Sequence, residues 1–171
     1  MATRRTVLLL RHAQTEDTRP GGTDLDRCLT AYGTEQARAV GAYLSGQRLT
    51  VDAVLCSPAV RTRQTLADLG LPLPDGSRLD ISSDYYNAGS DTLVEALRGL
   101  DPSCRTVLLV GHAPGVPGVA YELADPETSD PGALAAIDGR FPAATLARLE
   151  FIGDWADLET AALVDVRLPK R

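Results

Sequence analysis

The apolar positions fall into short blocks separated by longer amphipathic stretches. Thr6–Leu10 and Thr106–Val110 are continuous and β-branched-containing, as expected of strands buried on both faces, and Val51–Cys56 is a third such run. A weaker strand is predicted at Leu79–Ser82, and two more at Thr145–Phe151 and Ala161–Leu168. Between them the period changes. Thr30 can cap a helix in which Ala37, Val40, Gly41 and Leu44 recur at i, i+3, i+4 and i+7, ending at Ser45-Gly46. Ser57-Pro58 reads as an N-cap followed by proline at the first helical position, opening a helix that runs to about Leu69. Ser90 or Asp91 opens another, with Leu93, Leu97 and Leu100 as its apolar stripe, and Pro114-Gly115 a fourth. Strands alternating with helices predict an α/β domain spanning residues 1–171. The Pro-, Gly- and Asp-rich segment Asp125–Pro142, with a short helix at Gly132–Ile137, reads as an excursion within it. Gln14–Thr30 reads as a long loop, of the length that commonly carries function, and it leaves directly from Arg11-His12.

Composition narrows the function classes. With 171 residues the chain can build a full core without disulfide or metal staples. Its 17 basic against 23 acidic residues, a formal charge of -6, argue against a nucleic-acid backbone or an anionic membrane as the main partner. The three cysteines form no CxxC pair, which fits neither a disulfide framework nor a zinc site. No apolar run approaches the roughly 18 residues of a membrane span, and Val7–Leu10 is too short for a signal peptide. A cytoplasmic protein is expected. Lys170 is the only lysine, so each other cation is an arginine, able to grip an anion through a planar fork.

The two histidines have nearly matching settings, Thr6-Val7-Leu8-Leu9-Leu10-Arg11-His12-Ala13 and Thr106-Val107-Leu108-Leu109-Val110-Gly111-His112-Ala113. Each ends an apolar strand. In a parallel sheet the carboxyl ends of strands share one edge, where ligands bind, so neighbouring strands would bring both imidazoles to one crevice. A lone histidine at a strand end commonly does no more than satisfy backbone groups; two in matching positions point to a site. Metal ligation is the weaker alternative, because neither an HxxxH nor an HxH spacing exists and Arg11 adjoins His12. Arg61 lies one turn into the helix opened by Ser57-Pro58, where free backbone N–H groups already favour an anion. Two arginines, two histidines and two helix starts suit a tetrahedral dianion, and the chemistry suggested is phosphoryl transfer.

These residues resemble a known family. Arg11-His12-Ala13 is similar to the RHG signature of the histidine phosphatase superfamily, and Leu29-Thr30-Ala31-Tyr32-Gly33 with Gln36-Ala37 to its LTxxGxxQA segment. Ser57-Pro58-Ala59-Val60-Arg61-Thr62-Arg63-Gln64-Thr65 resembles its SPxxRxxQT segment, and Val110-Gly111-His112 its second histidine motif. The short chain and Tyr85-Tyr86-Asn87-Ala88 before a leucine-rich helix are most similar to the small SixA-like branch, which includes phosphohistidine phosphatases. The resemblance implies a three-layer α/β/α fold, phosphoglycerate mutase-like, with a mainly parallel central sheet and neither metal nor cofactor. It implies that His12 is a nucleophile that becomes phosphorylated while Arg11, Arg61 and His112 hold the phosphoryl oxygens of a phosphorylated protein or small phosphorylated metabolite.

Two positions depart from the family. Ala13 stands where glycine is usual, so a Cβ must be accommodated. Where the mutase-like branch carries a glutamate acid, this chain reads Asp84-Tyr85-Tyr86-Asn87. The other carboxylates in reach by sequence are Asp91 and, in the first loop, Glu16, Asp17, Asp24 and Asp26; Asp17 is taken as the candidate general acid, and Thr15 as a further hydroxyl for the phosphate. A positioned acid contributes about 10²- to 10⁴-fold by protonating a leaving group, so an enzyme without one is expected to favour activated leaving groups such as phosphohistidine over alkyl phosphates. A non-catalytic phosphate-binding module and a phosphoglycerate mutase-like phosphotransferase are the alternatives.

Overall fold

In the computed structural model, which describes residues 3–170, the apolar runs become one sheet. The described residues form six strands, β1 (Arg4–Arg11), β2 (Ala53–Cys56), β3 (Leu79–Ile81), β4 (Thr106–Gly111), β5 (Leu146–Ile152) and β6 (Ala162–Arg167). They alternate with helices α1 (Ala31–Gly46), α2 (Val60–Asp68), α3 (Ser90–Arg98), α4 (Gly115–Leu123) and α5 (Pro131–Ile137). The strand order is β3-β2-β4-β1-β5-β6; β3, β2, β4 and β1 run parallel, and β5 is antiparallel to both its neighbours.

Strand alternation sorts the core into two layers. Val7 and Leu9 of β1 pack with Leu93 and Leu97 of α3 and Val116 and Val119 of α4, whereas Leu8 and Leu10 pack with Val40 and Leu44 of α1 and Leu66 of α2. All four β1 side chains are fully buried, each worth roughly 1.5–3 kcal/mol of apolar transfer. Coverage of both faces is why β1 and β4 are unbroken apolar runs rather than alternating ones. The result is the expected three-layer α/β/α sandwich with a mainly parallel sheet.

The amino-terminal edge of the central strands is closed by an arginine. Arg5 is buried, donates to the carbonyls of Gly153 (2.7 Å), Pro102 (2.9 Å) and Cys104, pairs with Asp154 (3.0 Å), and lies 5.3 Å from the centre of the Trp155 ring. The carboxyl-terminal edge is arranged differently. After β1 the chain turns to α1 on one face, and after β4 to α4 on the other, so the connections of these two neighbouring strands part at that edge, the arrangement that favours a ligand site in parallel sheets.

Candidate active site

β1 and β4 are hydrogen-bonded neighbours in the register Thr6↔Thr106 to Arg11↔Gly111, so His12 and His112 leave the same edge one residue beyond their strands. The His12 backbone N–H donates to the Gly111 carbonyl at 3.0 Å, and the two imidazole centroids are 5.4 Å apart. Both rings are buried.

Each ring is oriented by a fixed partner. His12 Nδ1 lies 2.8 Å from the Ala13 carbonyl oxygen, which can only accept, so Nδ1 carries the proton and Nε2 keeps its lone pair. Arg61 Nη2 donates to His112 Nδ1 at 3.2 Å; His112 Nε2 therefore carries the proton and donates to Ser57 Oγ at 2.7 Å. Burial, with the Arg61 charge beside it, lowers the His112 pKa to about 3. Burial also lowers that of His12 to about 4; Arg61, Arg11 and Arg27 add to the effect, and the Ala13 bond opposes it. Both imidazoles are neutral at pH 7.

Ser57 corrects the predicted helix start. Its hydroxyl serves His112 and, more weakly, Ala59 N at 3.3 Å, and α2 begins at Val60 rather than at Pro58. Arg61 is thus in the first turn of α2, buried, with its guanidinium directed across to His112. Arg11 is half-buried, donates to the Phe141 carbonyl at 2.7 Å, and has its Nε buried without a partner.

The remaining motif residues hold the loop that carries His12. Thr65 Oγ1 accepts from Ala13 N (3.0 Å), Gln64 Oε1 from Leu29 N (2.8 Å) and Gln36 Oε1 from Gln14 N (2.9 Å), while Thr30 caps α1 at Gly33 N. Gly33 is required here: a Cβ would stand 2.1 Å from the Gln14 carbonyl oxygen. Ala13 needs no such freedom. Its φ is negative, and its methyl is buried with Leu29, Ala37 and Ala144.

Neither the candidate acid nor the extra hydroxyl is hydrogen-bonded to these side chains among the described residues. Asp17 is exposed on the loop, and no hydrogen bond or ion pair joins it to the described site residues. Thr15 Oγ1 accepts from Arg27 Nη2 at 2.7 Å, and its backbone bridges Leu29. The first-loop carboxylate that reaches the site is Asp24, on a short 3-10 turn (Asp24–Asp26): its Oδ2 takes Arg61 Nη2 at 2.9 Å and the Tyr86 hydroxyl at 2.6 Å. The Tyr86 ring in turn stands edge-on to His112, with centroids 5.5 Å apart. Tyr86 had a faint signal in the Tyr85-Tyr86 pair; Asp24 had none that set it apart from its neighbours. Among the described residues no group of three or more His, Cys, Asp or Glu side chains is placed to hold a metal ion.

Residues 7–80 match the model of the histidine phosphatase superfamily (branch 1). Over 71% of its length the chain is 31% identical to the phosphohistidine phosphatase SixA of Escherichia coli, covering 76% of that protein. The chain belongs to the histidine phosphatase superfamily. This histidine phosphatase is also 35% identical to an uncharacterised protein of Mycobacterium tuberculosis, over 94% of its own length and all of that protein's. Among solved structures, the protein assigned as the phosphohistidine phosphatase SixA of Nakamurella multipartitia is 36% identical, with a TM-score of 0.83 and 98% of both chains aligned. The chain is therefore a SixA-like phosphatase, a hydrolase. Among the described residues no helix is long and apolar enough to cross a membrane.

Proposed function

We propose that this phosphatase removes phosphoryl groups from activated donors, phosphohistidine above all, through a phosphohistidine intermediate on His12. The substrate is a phosphorylated protein or a small phosphorylated metabolite. The observation that carries the reading is the His12 ring itself: its proton is fixed on Nδ1 by the Ala13 carbonyl, and its free Nε2 lone pair shares the strand edge with Arg61 and His112.

In the first step His12 Nε2 forms a bond to phosphorus as the bond to the leaving group breaks; in the second, water attacks phospho-His12 and inorganic phosphate departs. Arg11 and Arg61 supply positive groups for the equatorial oxygens, where charge is held through the transfer, and His112 joins them by taking a proton on Nδ1, which Arg61 vacates as it turns to the phosphoryl group and which the bound dianion favours. No bound metal or cofactor is needed for this sequence of steps.

The electrostatics favour an activated leaving group. Asp24, the carboxylate at the site, is held ionised, its pKa lowered to about 2 chiefly by the Tyr86 hydroxyl and then by Arg61 and Arg27. It therefore has no proton to give an alkoxide at neutral pH. A phosphoramidate, whose nitrogen can be protonated from solvent, needs none from the enzyme.

Phosphate release from a phosphohistidine peptide and from a simple alkyl phosphate tests the reading, with wild type and His12→Ala compared in chelator. Release from the peptide at a rate at least 100-fold above the alkyl phosphate, abolished in His12→Ala, is expected. Equal release from both substrates, or release that survives His12→Ala, contradicts it.

A further inference from the structure

Arg61, the buried cation beside His112, already has an anion. Its Nη1 donates to the Asp24 backbone carbonyl at 2.7 Å and its Nη2 to Asp24 Oδ2 at 2.9 Å, so both arms of the fork are taken by one residue of the first loop. Oδ2 also accepts from the Tyr86 hydroxyl at 2.6 Å, and Oδ1 lies 3.3 Å from Arg27 Nη1. A phosphoryl group gripped by Arg61 needs those same arms. The Asp24 carboxylate and the phosphoryl group compete for one guanidinium.

The loop is built so that this contact can open. Its 3-10 turn is closed on itself by Thr23 and Asp26, with Thr23 Oγ1 donating to Asp26 Oδ2 at 2.7 Å and Thr23 N to the same oxygen at 3.2 Å. Arg27 ties the turn back to its own loop through the Glu16 carbonyl at 3.0 Å and Thr15 Oγ1 at 2.7 Å. The partners that the Asp24 carboxylate finds outside the loop are Arg61 and Tyr86, and its side chain stays 44% exposed. Displacing it costs an internal ion pair but strands no buried charge, because the carboxylate moves toward water and Arg61 receives the phosphoryl oxygens.

We propose that Asp24 is a specificity-determining latch: its carboxylate holds Arg61 in the substrate-free enzyme, yields to a doubly charged phosphoryl group, and returns to help expel product phosphate. A singly charged anion gains little by exchanging with a carboxylate that has the same charge and an added Tyr86 hydrogen bond; a dianion gains more from the Arg61, Arg11 and His112 cluster. The latch thus screens the pocket against monoanions and limits product inhibition. It rests on the reading that Arg61 holds the phosphoryl group.

Calorimetric titration with inorganic phosphate at pH 8, where it is a dianion, tests the latch without requiring turnover. Asp24→Asn keeps the shape and removes the charge; it is expected to bind phosphate at least tenfold more tightly than wild type, with a lower KM and stronger product inhibition. Tyr86→Phe leaves Asp24 in place but unsupported, and gives the same sign by a smaller factor, which keeps the test decisive should Asp24→Asn disturb the loop. Unchanged or weaker phosphate binding in both variants overturns the latch: weaker binding would mean that Asp24 positions Arg61 for substrate, and unchanged binding with a fall in kcat that it handles a proton. Arg61→Ala separates this from the parent reading. If Arg61→Ala loses phosphate binding while neither of the other variants gains it, the latch alone fails; if Arg61→Ala binds as wild type does, Arg61 is not at the phosphate and both fall.

Discussion

At His12 one backbone carbonyl decides which nitrogen keeps its lone pair and so serves as the proposed nucleophile, and burial decides that it is unprotonated. Because the free-enzyme pKa of His12 is lowered to about 4, kcat/KM for a substrate of fixed charge is expected to show no acid limb near 6.5, where an ordinary histidine titrates; a pH profile with a limb at that value that moves on changing His12 surroundings would contradict the assignment. The neighbouring ring depends on Ser57. In Ser57→Ala the His112 Nε2–H loses its acceptor, and loss of one neutral hydrogen bond, about 0.5–1.5 kcal/mol, corresponds to a roughly two- to twelvefold fall in kcat/KM. Steady-state kinetics with a phosphohistidine peptide measure it. At this scale the sequence is legible where a residue's role is local. Arg11-His12 and His112 end strands, and that position alone sends them to the carboxyl-terminal edge of the sheet. Asp24 could not be singled out, because its distinction from Asp17 is a contact with Arg61, 37 residues away.

The first loop and α1 meet at Gly33, and the fit tolerates no side chain. Gly33→Ala would place a Cβ 2.1 Å from the Gln14 carbonyl, so the loop must shift; a destabilisation of about 1–3 kcal/mol is expected in urea denaturation, with a fall in activity because Gln14 lies two residues beyond His12. An unchanged midpoint and rate would show that the loop is not held by this contact. The apolar runs revealed the strands because both faces of a parallel sheet are buried, and Thr30 marked the start of α1 correctly because its hydroxyl does cap Gly33 N. Ser57 misled for an instructive reason. The residue type that caps helices also serves a buried imidazole, and the tertiary partner took the hydroxyl, moving the start of α2 to Val60. The antiparallel pairing of β5 with β1 was not legible either, since strand direction follows from connections rather than from composition.

Across the whole molecule the two ends of the central strands divide the work. Arg5 staples the amino-terminal edge through carbonyls that lie about 100 and 150 residues away, partners no local pattern reveals. Arg5→Ala leaves those carbonyls unsatisfied and is expected to destabilise the fold by about 3 kcal/mol or more in urea denaturation while the rate per folded molecule at the opposite edge stays unchanged. The opposite edge makes stability depend on pH. Histidines with pKa values lowered to about 4 and about 3 in the fold but near 6.5 in the unfolded chain contribute fully above pH 6.5; as pH falls from 6.5 toward 4 the unfolded chain takes up protons that the folded one refuses, and stability declines. The slope attributable to each is at most about 1.4 kcal/mol per pH unit, and replacing His12 by Asn should remove its share from the pH dependence of urea denaturation.

The most direct measurement is of the intermediate itself: the enzyme is mixed with a phosphohistidine peptide, quenched within milliseconds in base, where a phosphoramidate survives, and digested for mass spectrometry. Phosphate on His12 in wild type, absent in His12→Ala and formed no more slowly than turnover, is the predicted result. Steady turnover without phosphorylated His12, or a label on any other residue, would contradict it.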